Sequence, residues 1–359
     1  MKHFRSLSLA PWRYGALFFA CLFLATSCQK KQTPSAAEVL PLASEVEASL
    51  ATSAASTSET KSVTTVAQPS PVATAPAATT GASALRFVSY NVENWLILEE
   101  RYDFETRISA KNAPKPEKEK AAVVSILTGA KPDVLGVCEI GSKEDLMEIQ
   151  KLLKAAGLDL PHSHFASGVD SSRHLGLLSR FPIASTAKPA ETQYKLDGKE
   201  YGIQRGVLDA TVQTPDSRLW RFLGVHLKSK REVEDNDQNL MRINEAQLLR
   251  KHIDEILKAD PQARIISYGD FNDTRASSPI RIIQGPNNSP RAMSPIGLRD
   301  SRKQYWTHFW AKEDVYSRFD YIFFSQALKK EVMFEECKIL DPENWDAASD
   351  HRAVLGVFR

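Results

Sequence analysis

The sequence lacks any excess of charge. Across 359 residues, 46 basic side chains stand against 44 acidic ones, a formal net charge of +2. A field that weak does not announce a polyanionic partner, and composition does not demand tight nucleic-acid binding. Cysteine is scarce too, with four in the chain. Cys21 and Cys28 fall in the N-terminal leader, and Cys138 and Cys337 are far apart, which excludes a disulfide framework. Cys138 sits in an apolar, strand-like run and reads as a buried free thiol. There is no internal repeat. After the leader, no apolar run is long enough to cross a bilayer, and no long apolar loop offers itself to lipid.

The leader itself has the three parts of an export signal. Lys2, Arg5 and Arg13 supply positive charge, and the run from Ala16 to Ala25 supplies an apolar core too short to span a membrane. It ends at Ala25-Thr26-Ser27-Cys28, which resembles the bacterial lipobox, with Ala25 where leucine is usual. An ordinary signal cleaved after a small residue is the alternative. Residues 1–28 are therefore expected to be a lipoprotein signal peptide, with lipidation at Cys28. Gln29 after the cysteine suggests outer-membrane sorting where such a membrane exists. Residues 29–84 are dominated by Ser, Thr, Ala, Pro, Gln and Val. Such a stretch cannot bury enough surface to offset the entropy of ordering, and it reads as a disordered tether. The globular part is expected over 85–359.

Within that part, short β-branched and apolar runs alternate with helical patterns. Strands are expected at 85–90, 133–138, 175–178, 206–212, 219–225, 263–266, 306–310, 318–324 and 353–358. One helix opens at Glu117 with a stripe of Ala121, Val124, Ile126 and Leu127, stopped by Gly129. Another opens at Ser142 with capping chemistry. A long amphipathic helix lies between Asp237 and Ala259, carrying Leu240, Ile243, Leu248, Ile253 and Leu257. Residues 99–116 read as a charged loop and 275–304 as irregular, because of their prolines.

Polar residues recur where these strands begin or end: Asn91, Glu139, His226, Asp270, Asn272, Asp350 and His351. Read singly, each has a plain explanation. Asn and Asp suit turns, His226 suits a satisfied core histidine, and Asp320 suits a partner for Arg318. Together they supply hard oxygen ligands for Mg²⁺ or Mn²⁺, and histidines and a carboxylate for proton transfer.

The set Ser89-Tyr90-Asn91-Val92-Glu93, Cys138-Glu139, Gly176-Leu177-Leu178-Ser179-Arg180, Val225-His226-Leu227-Lys228-Ser229, Gly269-Asp270-Phe271-Asn272, Arg318-Phe319-Asp320-Tyr321-Ile322 and Ser349-Asp350-His351 resembles the endonuclease/exonuclease/phosphatase superfamily. The motifs occur in the family's order across 85–359. The resemblance implies a four-layer α/β sandwich, with two mixed β-sheets face to face and helices outside. It implies Glu139 as the principal metal ligand, with Asn91 and Asp350 beside it. It implies Asp270 activating or orienting water, Asn272 holding phosphate or that water, and His226 assisting the leaving group. His351 would contact the scissile phosphate, Asp320 would orient His351, and Arg205 and Asn91 would contact phosphate. Cys138 stands where many relatives carry Gln.

The expected activity is thus metal-dependent phosphodiester hydrolysis by an exported, membrane-anchored monomer. Nucleic acid is favoured over lipid or inositol head groups as substrate. The candidate groove cations Arg101, Arg107, Lys111 and 228–231 also fit ordinary solvated faces. A surface lipoprotein that kept the fold only to bind should have lost one of Glu139, His226, Asp270 or His351, and all four are present.

Overall fold

In this computed structural model the described residues are 84–359, other than 104–106 and 235. The expected signal peptide with Cys28, and the tether as far as 83, lie outside the described residues. Among the described residues no helix is long and apolar enough to cross a membrane.

Two six-stranded mixed sheets stack face to face. Edge to edge, the first runs Lys338–Ile339, Val354–Phe358, Leu85–Trp95, Val134–Ile140, His174–Ser179 and His162–Ala166. The second runs Met293–Pro295, Asp320–Ser325, Ile265–Asp270, Leu219–His226, Val207–Gln213 and Ile183–Ala187. Each sheet has one parallel pair near its middle: Leu85–Trp95 with Val134–Ile140, and Leu219–His226 with Ile265–Asp270. Parallel strands need a long crossover, which a helix usually supplies. Helix α1 (Glu117–Ala130) lies in the first crossover and α3 (Gln238–Ala259) in the second. This matters for function, because only parallel neighbours place two C-terminal strand ends side by side.

Helix α2 (Lys143–Ala155) joins α1 in the core of the first sheet through Val123, Leu127, Leu146, Ile149 and Leu153. Helix α3 and the short α4 (Ser278–Gln284) bury Leu249, Ile253, Ile280 and Ile283 with Leu223, Ile265 and Phe323 of the second sheet. The architecture is the expected sandwich. Between the sheets, Phe87 meets Phe222 at a ring separation of 5.0 Å and Tyr268 edge-on at 4.7 Å. The Tyr268 ring fits because two neighbours lack side chains. A Cβ at Gly136 of the first sheet would lie 2.0 Å from it, and one at Gly224 would lie 2.7 Å from its hydroxyl. Both described cysteines, Cys138 and Cys337, are free and buried.

Several local expectations need correction. In α1 the buried positions are Lys120, Ala122, Val123, Ile126, Leu127 and Ala130, so Ala121 faces outward. The helix is turned to bury Lys120, whose ammonium finds Glu148 at 2.7 Å and Glu117 at 3.0 Å. It ends past Gly129, at Lys131, which takes a left-handed conformation with φ 50°. In α3 Leu240 is exposed, while Arg242 and Glu245 are fully buried. The supposed loop at 99–116 contains a hairpin, Leu98–Asp103 with Ile108–Ala113, before α1 begins. The irregular stretch after 275 holds α4, with Pro279 in its first turn, where a missing N–H costs nothing.

Candidate active site

The two parallel pairs end at one place. Asn91 ends the regular pairing of its strand with Val134–Ile140, where Glu139 is next to last. His226 and Asp270 close strands of the second sheet, in register as His226 opposite Asp270 and Asp270 opposite Asp320. The Asn91 amide joins the sheets. Its Nδ2 donates to Glu139 Oε1 at 3.1 Å and to Asp270 Oδ2 at 3.2 Å. His226 Nε2 lies 3.5 Å from Asp270 Oδ2 and 3.9 Å from Glu139 Oε1. Its Nδ1 is buried without a partner.

His351 enters from the loop before the last strand. Its Nδ1 pairs with Asp320 Oδ2 at 2.8 Å, and its Nε2 lies 3.6 Å from Asp270 Oδ2. Arg318 does not compete for Asp320, since it donates to the Ile296 carbonyl and covers the Tyr321 ring. The Ser349 hydroxyl pins this loop, donating to Asn91 O at 2.8 Å and accepting from His351 N at 3.0 Å. Asp350 N donates to Glu93 Oε2 at 3.0 Å, and Asp350 Oδ2 lies 3.7 Å from His308 Nε2.

Asn272 sits in the turn after Asp270. Its amide donates to the Leu227 carbonyl at 3.0 Å, while its backbone N–H donates to Asp270 Oδ1 at 2.8 Å. Arg205 lies at the site's flank with its Nε 3.2 Å from Asp170. One turn of α3 fastens both flanking loops. Glu245 accepts from Gln204 N at 2.9 Å and Lys228 N at 2.6 Å, and Arg242 donates to the Lys228 carbonyl at 3.0 Å and to Asp273 at 2.9 Å. The peptide of Lys228 is thus held at both ends, two residues beyond His226. Lys228 itself is buried, and Arg101 donates to the carbonyls of Asn94 and Leu96. Neither is a free surface cation.

Burial shapes the electrostatics. It pushes the Asp270 carboxyl up to about 6, with His351 opposing and Asp320 reinforcing the shift. Burial and the Asp350 carboxylate push Glu93 up to about 8. Asp350 itself stays below the usual range, because His308 and His351 outweigh its own burial. His226 is held well below the ordinary histidine value by burial, and then by Arg205 and His351. Burial also works against charge on His351, but Asp320 and Asp270 prevail and hold it well above that value. One buried imidazole is kept neutral and the other cationic.

The backbone is strained at the same place. Glu93, Asn94, Glu139 and Asn272 have φ of 47°, 53°, 66° and 49°. Left-handed non-glycine residues cost about 1–2 kcal/mol each and gather where function needs a particular geometry.

Three participants escaped sequence reasoning. Glu93 lies in a quoted motif, but its significance depends on Asp350, 257 residues away. His308 reads as one residue of an aromatic strand, yet its ring lies 4.6 Å from that of His351. Arg173, in a polar loop, donates to Asn94 Oδ1 at 2.9 Å and lies 3.8 Å from Glu139. No local signal marks it.

Residues 90–351 match the Endonuclease/Exonuclease/phosphatase family. The chain belongs to that family. Its members are phosphoester hydrolases and generally use divalent metals. The fold is similar to that of an endonuclease/exonuclease/phosphatase from Bacteroides vulgatus, at 15% identity and TM-score 0.54, over 77% of this chain and 99% of that one. It is also similar to the human Nocturnin catalytic domain with bound sulfate anion, at 16% identity and TM-score 0.53, over 77% and 94%. A truncated TDP2 of Caenorhabditis elegans gives 15% identity and TM-score 0.52, over 77% and 97%. At such identities the likeness speaks for the fold alone. No curated protein matches the sequence.

The donor set of this endonuclease/exonuclease/phosphatase member suits a hard divalent cation. Glu139 and Asp350 offer carboxylate oxygens, and Glu93 stands close enough to both to feel their charges. Asn91 turns its amide nitrogen to Glu139 while its Oδ1 accepts from Glu93 N at 3.0 Å, so it would present oxygen to a cation only with the amide turned over. Carboxylates crowded so that one cannot easily ionise are what a bound cation relieves. A second grouping, His308, Asp350 and His351, brings its ligand atoms within 4.8 Å of one another.

Proposed function

We propose that this chain is a divalent-metal-dependent phosphodiesterase acting outside the cytoplasm, with nucleic acid rather than lipid or inositol head groups as its substrate. The observation that carries the reading is the convergence of Asn91, Glu139, His226, Asp270 and His351, from two sheets, on one buried polar point.

Glu139, Asn91 and Asp350 would hold Mg²⁺ or Mn²⁺. When bound, the cation would polarise the phosphate and offset charge that builds in the transition state. Asp270 faces both imidazoles and orients the attacking water, accepting its proton as the oxygen approaches phosphorus. Asn272, rigid through its bond to Leu227, holds that water or a phosphate oxygen. His226 donates a hydrogen bond to the departing oxygen. His351, held cationic and oriented by Asp320, presents Nε2–H to a non-bridging oxygen. Arg205 adds positive charge at the flank.

The test is hydrolysis of plasmid DNA, RNA, sphingomyelin, inositol phosphates and a small phosphodiester by the full chain. Activity is expected to vanish with chelator and return with Mg²⁺ or Mn²⁺, and Glu139→Gln is expected to weaken the metal response most. Full activity after exhaustive chelation overturns the reading. Export and anchoring rest on the leader: labelled palmitate should enter the native protein and not Cys28→Ala, and a mature N-terminus other than Cys28 refutes the anchor.

A further inference from the structure

Beside His351 stands a small hairpin, His308–Trp310 paired antiparallel with Val315–Ser317. It is joined to the catalytic loop directly: His308 bridges to His351, and Phe309 N donates to the Asp350 carbonyl at 3.0 Å. Strand side chains alternate, so the two faces differ. The back face carries a row of ring contacts, although Tyr316 within it is itself exposed. Phe309 stacks on Tyr316 at 4.4 Å, Tyr316 meets Trp306 at 4.7 Å, and Trp306 meets Trp345 at 5.1 Å.

The front face begins with His308, whose ring touches those of His351 and Phe319. It continues outward to Trp310, opposite Val315. Trp310 is 51% exposed and Val315 43%, although both are large apolar residues. Two residues of strand separate Trp310 from His308, about 7 Å at the usual rise. That is the reach of one nucleoside from its own phosphate.

We propose that Trp310 is a stacking platform for the base next to the scissile phosphate, so that the enzyme selects single-stranded or locally unpaired nucleic acid. A flat indole two strand residues from the imidazole that packs on His351 matches a ligand with a phosphate at one point and an aromatic base a few ångströms away. The charge pattern argues against lipid as the occupant. A hairpin that dips into a bilayer presents apolar residues at its tip, whereas this tip carries Lys312, Glu313 and Asp314, all exposed. The ring contacts of the back face and the Phe309 N–Asp350 O bond tie the hairpin to the catalytic loop, so the platform has a defined place before the ligand arrives, which lowers the entropy lost on binding.

The proposal rests on the phosphodiesterase reading, and the experiment separates the two. The full chain with Mg²⁺ or Mn²⁺ is given a short oligodeoxythymidylate and the same phosphodiester backbone with tetrahydrofuran in place of each nucleoside. The base-bearing strand should be cleaved about 10-fold or more faster in kcat/KM, the effect of one stacked base. Trp310→Ala should bring the ratio close to one, and Trp310→Phe should restore most of it. Equal rates on the two strands, or a ratio that survives Trp310→Ala, overturn the platform while leaving the hydrolase reading intact. Failure to cleave either strand refutes both. A Trp310→Ala variant that loses hydrolysis of sphingomyelin vesicles while keeping the ratio assigns the face to lipid instead.

Discussion

Gly269 directly precedes Asp270 at the end of its strand, and replacing it with alanine tests how tightly the fold is tied to the site. Its φ is 130°, a region open in practice to glycine only. A Cβ there would lie 1.9 Å from the carbonyl oxygen of Val225, its partner in the neighbouring parallel strand. Backbone cannot swing aside as a side chain can, so the two strands must part by about 1 Å to restore the 3.0 Å that real Cβ atoms keep. The strain amounts to about 1–3 kcal/mol, and a stretched ladder bond adds about 1 kcal/mol. A loss of about 2–4 kcal/mol is expected from a total of about 5–15 kcal/mol. Thermal unfolding should fall by roughly 5–15 °C. The next residues in register are His226 and Asp270. A displacement of this size should cost about 100-fold in kcat/KM, measured below the variant's melting range. Gly297→Ala, where a Cβ meets nothing within 4 Å, is the control and should change stability by less than about 0.5 kcal/mol. If Gly269→Ala melts like the wild type, the clash argument is wrong. If it melts early but turns over normally, strand spacing does not govern the site.

Asp320→Asn should lower kcat by about 10–100-fold, because a charge-assisted bond to a buried imidazole becomes a neutral one. In a cycle with His351→Ala, the double variant should be little worse than His351→Ala alone, and additive losses would return Asp320 to a purely structural role. Away from the site, buried Asp209 accepts from Arg221 at 2.8 and 2.6 Å and pairs with His252 at 2.7 Å. Burial alone would raise its pKa, but those partners hold it below the usual range. A depressed acid contributes stability that is present above its unfolded value, about 4, and is lost as pH falls through the folded one. Asp209→Asn should therefore cost about 2–3 kcal/mol at neutral pH and flatten the acid limb of a denaturation profile, and an unchanged limb would sink the assignment.

What could be read from the sequence, and what could not, follows range. Asn91, Glu139, His226 and Asp270 each close a run of apolar, β-branched residues, a local pattern. The pairing of Asp320 with His351 was legible because a carboxylate among Phe, Tyr and Ile needs a partner. The hairpin at 98–113 was not, since its second strand is almost wholly exposed and shows no buried alternation. Arg242 and Glu245 look like the polar face of an amphipathic helix. Only the fold reveals that their partners are backbone groups of two loops beside the site, together with the Asp273 carboxylate. Glu93 and His308 acquire their meaning from Asp350 and His351, which the chain brings near only at its end.

The Tyr268 ring between Gly136 and Gly224 has a consequence for descent. Three positions on three strands own one volume, so none of them can drift alone. An alanine at either glycine runs into the ring, and a smaller residue at 268 leaves a void, which costs several kcal/mol in a well-packed core. With folded proteins holding only a narrow margin, a lineage moving from this combination to another must change two of the positions almost together. Otherwise it must first acquire stability elsewhere. Among distant relatives these three sites should therefore switch as a set, and a homologue with a side chain at 136 or 224 should carry a smaller residue opposite it.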